Sequence, residues 1–87
     1  MTCEEFNNKW TDYKELGHYG LDINIPSVIE YLDEKFKELI TIPDFKYTQI
    51  KLKFNTTRVY MYPKSIDTGE IELNIDKLVM DFENKGI

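Results

Sequence analysis

The sequence contains only one cysteine and one histidine, two residue types common in catalytic and metal sites. Because Cys3 is the only cysteine, the chain can form neither an internal disulfide nor a cysteine-based zinc cage. The single histidine, His18, cannot build a typical zinc or iron site. We therefore expect no metal site and no cofactor.

Patterns typical of an active site are also missing. Cys3 and His18 are the only candidates for a cysteine–histidine pair, and a helix between them would hold them about 20 Å apart. The sequence has no glycine-rich phosphate loop and no complete set of calcium ligands. We expect a protein with no catalytic residues that is not an enzyme.

Long apolar segments are absent as well. No run of apolar residues is long enough to span a bilayer, and no secretory signal is recognisable. These absences predict a cytoplasmic protein without a membrane partner. A chain of 87 residues is long enough for one modest core, so we expect residues 1–87 to form a single domain.

The most informative stretch that is present is residues 48–62, in which apolar and polar side chains alternate. Strand geometry sends successive side chains to opposite faces, so this pattern predicts a β-hairpin with one apolar and one cationic face. We predict a two-residue loop at Asn55 and Thr56, which pairs Lys53 with Arg58. That pairing places like charges opposite each other, a small cost that hints at a binding role.

The cationic face of this hairpin is the candidate partner-binding site, and we call it the basic face. Its residues are Gln49, Lys51, Lys53, Arg58, Tyr60 and Tyr62. A purely structural explanation is that long cationic side chains solvate an exposed sheet and protect it from aggregation. Both explanations fit the pattern.

The same stretch carries a family resemblance. Gln49-Ile50-Lys51, Lys53-Phe54 and Arg58-Val59-Tyr60 together resemble a QIKxKFGxxRxY pattern of small, mostly uncharacterised proteins of bacteriophages and bacterial mobile elements. The sequence departs from that pattern at Leu52, where the family often has an acidic residue, and at Asn55, where the family has glycine, although Asn tolerates a left-handed turn position. The resemblance implies no enzyme activity, and it implies a helix before the hairpin and another after it.

Helical periodicity completes an α+β prediction with two N-terminal helices, a central antiparallel hairpin and one C-terminal helix. Thr2 and Glu5 form a capping box, and the first helix runs past Trp10 and Tyr13 to Leu16, with Gly17 at its C-terminal end. Pro26 and Ser27 open the second helix, with either a second capping box of Ser27 and Glu30 or Pro26 in the first turn. Residues 21–25 could add a short third strand or connect the helices in extended form.

The chain after Pro63 allows two interpretations. Residues 71–75 alternate and could form a strand, whereas apolar spacing from Ile71 to Phe82 predicts a helix that Asp67 caps. We favour the helix.

Charge is distributed unevenly along the chain, whose net charge is −5. Residues 1–44 carry −6, residues 45–64 carry +5 and residues 65–87 carry −4. A basic hairpin between acidic helices can present different faces to different partners. The predicted helices expose a second, acidic candidate face, which consists of Glu30, Glu34, Glu38, Glu72 and Asp76.

These features favour a small interaction protein that binds, and inhibits or modulates, a protein of a host or a phage. The resemblance to phage proteins makes an anti-CRISPR or other anti-defence protein one specific form of this prediction. The alternative is a module for single-stranded nucleic acid, in which the lysines and arginine contact phosphates and Tyr60 or Tyr62 stacks on bases. A third possibility is that the acidic face imitates nucleic-acid phosphates.

Overall fold

A computed structural model describes residues 1–10 and 20–85, which form three helices and one three-stranded sheet. In chain order the elements are α1 (Cys3–Lys9), β1 (Gly20–Asp22), α2 (Pro26–Leu39), β2 (Lys46–Lys53), β3 (Thr56–Tyr62) and α3 (Thr68–Lys85). The predicted α+β class is confirmed, whereas the predicted arrangement of the elements is not.

The arrangement differs because the sheet is mixed, with the order β1-β2-β3. β1 pairs in parallel with β2, placing Leu21 beside Ile50, and β2 pairs antiparallel with β3. Parallel strands need a long crossover, and α2 supplies it. The second helix is therefore a connection between two neighbouring strands, not one of two consecutive N-terminal helices. Of residues 21–25, only Leu21 and Asp22 belong to the third strand.

The hairpin has the predicted two-residue loop length, but its loop lies one residue earlier in the chain than predicted. Lys53 pairs with Thr56, so the loop residues are Phe54 and Asn55, and Arg58 lies opposite Lys51 instead of Lys53. Both loop residues have positive φ, 53° and 62°, as a type I′ turn requires. A β-branched residue tolerates positive φ poorly, which explains why Thr56 lies in the strand and Phe54 takes its place in the loop.

The N-terminal capping box is confirmed. The Glu5 amide donates to Thr2 Oγ1 at 3.1 Å, and the Thr2 amide donates to Glu5 Oε1 at 3.0 Å. The predicted continuation of this helix through Tyr13 and Leu16 to Gly17 lies outside the described residues.

One carboxylate joins α1 to α2. Asp33 Oδ1 accepts from Lys9 Nζ at 2.8 Å and from Trp10 Nε1 at 3.1 Å. Partial burial raises the pKa of Asp33, but these two donors outweigh burial and leave the pKa below its usual value. The ionised carboxylate therefore stabilises the contact between the two helices.

The helix α2 begins with Pro26 in its first turn, as predicted, and no side chain caps it. The alternative prediction, a capping box of Ser27 and Glu30, is therefore wrong. The apolar side of α2 is buried against the sheet, and its residues are Val28, Ile29, Leu32, Phe36 and Leu39.

The helix α3 confirms the helical interpretation of residues 70–75. The Glu70 amide donates to Asp67 Oδ1 at 3.1 Å, so Asp67 caps the helix as predicted. Ile71, Ile75 and Val79 are buried at helical spacing.

The core lies between the helices and one face of the sheet and is rich in aromatic rings. The Phe36 ring makes edge-to-face contacts with the rings of Phe6, Trp10, Phe45 and Tyr47, at centroid distances of 4.9–5.5 Å. Among residues 1–10 and 20–85, every buried side-chain nitrogen or oxygen has a hydrogen-bond partner. None of the helices described is long and apolar enough to cross a membrane.

Candidate functional site

The basic face lies on the side of the sheet opposite the core. Along β3, Thr57, Val59 and Met61 are buried and the residues between them are exposed. Because paired residues of neighbouring strands share a face, Gln49 lies beside Tyr60 on the outer side. All six residues predicted for the basic face lie on this side, since a register shift of two residues does not exchange the two faces of a strand.

The like-charge pair predicted within the basic face exists, but with a different lysine. Lys51, not Lys53, lies opposite Arg58. On its other side Lys51 is in register with Asp22 of β1. The central row of the outer face therefore reads acid, base, base, and Asp22 lowers the cost of placing two cations side by side.

Two tyrosines of β3 give the basic face an aromatic component. Tyr60 is 48% exposed and Tyr62 is 38% exposed, and one residue separates them, so both rings lie on the outer side. The Nζ atoms of Lys46 and Lys64 each lie 5.4 Å from the centroid of the Tyr62 ring. Cations at this distance are attracted to the ring, so two lysines contact Tyr62, whereas the Tyr60 ring has no such neighbour among the contacts described.

The free edge of β3 is closed by two carboxylates of α3. Asp76 Oδ1 accepts from the Thr57 amide at 2.8 Å and from the Thr57 hydroxyl at 2.6 Å. Glu72 Oε2 accepts from the Val59 amide at 2.9 Å. The prediction that Glu72 and Asp76 lie on the outer side of their helix is therefore wrong.

The positions of Glu72 and Asp76 on α3 explain why their carboxylates reach β3. Each of these acids follows a buried residue of α3, Ile71 or Ile75, and therefore lies about 100° around the helix from the buried stripe. This places the carboxylates at the border of the core, within reach of the neighbouring strand. Only Glu30, Glu34 and Glu38 of the predicted acidic face remain together as an exposed strip, on α2.

The edge of β1 is closed by one side chain that sequence reasoning missed. The Asn7 amide group accepts from the Leu21 amide at 2.9 Å and donates to the Leu21 carbonyl at 3.0 Å, as a neighbouring strand would. Tyr47 Oη also donates to Asn7 Oδ1, at 2.9 Å. The only signal in the sequence was a polar residue next to the apolar Phe6 on a predicted helix.

The two closed edges limit how the sheet can bind. A peptide that extends a sheet needs free backbone groups on an edge strand, and those of Leu21, Thr57 and Val59 are occupied. Binding by strand addition is therefore blocked at these positions. The outer face and the hairpin tip are the parts of the sheet that remain accessible.

Cys3, the only cysteine, has a partly buried thiol that forms a hydrogen bond. Its Sγ donates to the Ile23 carbonyl at 3.1 Å, and burial raises the thiol pKa above its usual value. His18, the only histidine with which Cys3 could form a catalytic pair, lies outside the described residues. Within the described ranges, no group of three or more His, Cys, Asp or Glu side chains is placed to hold a metal ion.

No protein-family model, no curated protein and no solved structure matches this chain.

Proposed function

We propose that this protein is a non-enzymatic interaction module that docks its basic face onto an acidic surface of a partner protein and thereby inhibits or modulates that partner. The observation that carries the proposal is the row of Lys51 and Arg58 beside exposed Tyr60 on an open sheet face whose edges are closed. Tyrosine and arginine are among the residue types enriched at the energetic centres of protein interfaces. The resemblance to small phage proteins supports an inhibitory role, of the anti-CRISPR or another anti-defence type.

The charge of the remaining molecule supports a protein partner over a polyanion. Residues 1–44 and 65–87 together carry −10, and the exposed acidic strip on α2 repels phosphate backbones. A folded partner with a limited acidic patch can meet the basic face without approaching those acids.

The test is charge reversal at Arg58. In Arg58→Glu the new carboxylate lies opposite Lys51, an opposite-charge pair that a sheet tolerates, so the variant should fold. We expect wild type to retain a protein from a bacterial lysate and Arg58→Glu to bind that protein, once purified, at least tenfold more weakly in calorimetry.

The matched control is Lys77→Glu, which makes the same kind of charge change at an exposed position of α3. It should bind as wild type does. Glu34→Lys tests the acidic strip of α2 in the same assay and should also leave binding unchanged. If Arg58→Glu and Lys77→Glu weakened binding equally, affinity would depend on net charge and not on the basic face.

A second candidate function, binding of single-stranded nucleic acid, is supported by Tyr60 and Tyr62, which occupy alternate outward positions of one strand. Sheet-face RNA-binding domains stack successive bases on aromatic rings placed in this way. Fluorescence anisotropy with labelled 15-nucleotide DNA and RNA at 50 and 200 mM salt tests it. Nucleic-acid binding predicts affinity that falls steeply with salt, with a log–log slope of about −0.7 per phosphate neutralised, and loss of binding in Tyr60→Ala. The protein-partner proposal predicts no measurable binding at 200 mM salt.

A further inference from the structure

The hairpin tip carries the most exposed large apolar side chain in the described part of the chain. Phe54 is 89% exposed, and it occupies the first position of the two-residue loop with a φ of 53°. A bulky residue in this left-handed region is uncommon and unfavourable, because its Cβ crowds the following backbone. Strained residues of this kind concentrate at binding and switch sites.

The fold itself does not account for a phenylalanine at this position. A type I′ turn favours Gly or Asn at both central residues, and an almost fully exposed ring contributes little to the core. A glycine in place of Phe54 would satisfy the turn better. Phe54 is therefore unfavourable for the isolated protein in two ways, by backbone strain and by exposure of an apolar ring to water.

The charged residues near the hairpin tip indicate which kind of partner surface would complement Phe54. Lys53 Nζ lies 5.9 Å from the centroid of the Phe54 ring, and Arg58 is exposed on the adjacent strand. Residues 45–64 contain no acid. A complementary surface therefore has an apolar pocket for the ring and carboxylates around the rim of that pocket.

We infer that Phe54 is an anchor that inserts into an apolar pocket on the partner protein, with the acidic rim of that pocket meeting Lys53 and Arg58. This inference rests on the proposed function and adds a second contact to it. Phe54 lies in the loop that joins the two strands of the basic face, so one hairpin presents both. Insertion of the ring buries apolar area and fixes the orientation in which the basic face docks.

The experiment compares two glycine substitutions in the same turn. Phe54→Gly and Asn55→Gly each place glycine at a positive φ and relieve strain, so both variants should unfold at a urea concentration equal to or above that of wild type. Only Phe54→Gly removes the ring. We expect Phe54→Gly to bind the purified partner at least tenfold more weakly in calorimetry, whereas Asn55→Gly binds as wild type does.

The probe is the protein that wild type retains from the lysate and Arg58→Glu does not. Weak binding by Arg58→Glu together with full binding by Phe54→Gly would overturn this inference and leave the proposed function intact. Retention of the same proteins by wild type and Arg58→Glu would overturn both. A wild-type dimer in light scattering that becomes a monomer only in Phe54→Gly would also overturn the inference, because the ring would then bind a second copy of this chain.

Discussion

At the scale of single residues, Asn7 and Tyr47 connect the first helix to the centre of the sheet. The Asn7 amide satisfies both backbone groups of Leu21, and its oxygen also accepts from the buried Tyr47 hydroxyl. Buried polar groups that lose such partners cost about 1 to 3 kcal/mol each. One asparagine therefore fixes the position of β1 relative to α1.

Burial of Tyr47 makes the stability of the protein sensitive to alkaline pH. Burial raises the pKa of Tyr47 well above its ordinary value of about 10. Because the pKa is higher in the folded state, the contribution of this group is complete below pH 10 and is lost as the pH rises above it. The loss should be about 1.4 kcal/mol for each pH unit above 10, until the folded-state pKa is reached.

We expect Tyr47→Phe to be less stable than wild type at pH 7 by about 1 kcal/mol, because the hydrogen bond to Asn7 is lost. Between pH 9.5 and 11, however, the difference should shrink, since the variant has no phenol to ionise at this position. Urea unfolding at each pH measures both quantities. A difference that stays constant with pH would contradict this account of Tyr47.

At the scale of elements, α3 has two roles that its sequence pattern does not separate. Its apolar stripe packs into the core through Ile71, Ile75 and Val79, while Glu72 and Asp76 supply acceptors to the edge of β3. Covering an edge strand with a helix is one way in which proteins prevent edge-to-edge aggregation. The helix therefore completes the sheet as well as the core.

This role predicts a specific cost for Asp76→Ala. The variant leaves the amide and the hydroxyl of Thr57, a buried residue, without their acceptor, so the free energy of unfolding should fall by about 1 to 3 kcal/mol. Asp81→Ala removes an exposed acid from the same helix and should change stability by less than about 0.5 kcal/mol. Urea midpoints give the comparison, and equal midpoints for the two variants would contradict the proposed edge contact.

The hairpin shows how much of an element could be predicted. Alternation of apolar and polar residues correctly predicted which side chains share each face, because the period of a strand is two residues. It did not locate the loop, because moving the loop by one position shifts the register by two residues and leaves the faces unchanged. The backbone preference of Thr56 decided between the two loops, and its consequence was the exposed Phe54.

At the scale of the whole molecule, the distribution of charge affects which surfaces the protein can bind more than the net charge does. The net charge of −5 would suggest weak interaction with acidic surfaces, yet residues 45–64 carry +5 on one sheet face and its connections. Two acids of α3, Glu72 and Asp76, accept hydrogen bonds from backbone amides of β3. Under the proposed function, an acidic partner would meet a surface whose local charge is opposite to that of the molecule.

The amino-acid sequence by itself determined the α+β class, the positions of α2 and α3, and the faces of the hairpin strands. These features depend on local periodicity, caps and turn residues, which act between positions a few residues apart. The tertiary structure alone decided that β1 pairs in parallel with β2 and that Asn7, Glu72 and Asp76 close the edges of the sheet. Those contacts join residues 13 to 29 positions apart, and which polar side chain meets which backbone group depends on how the helices pack.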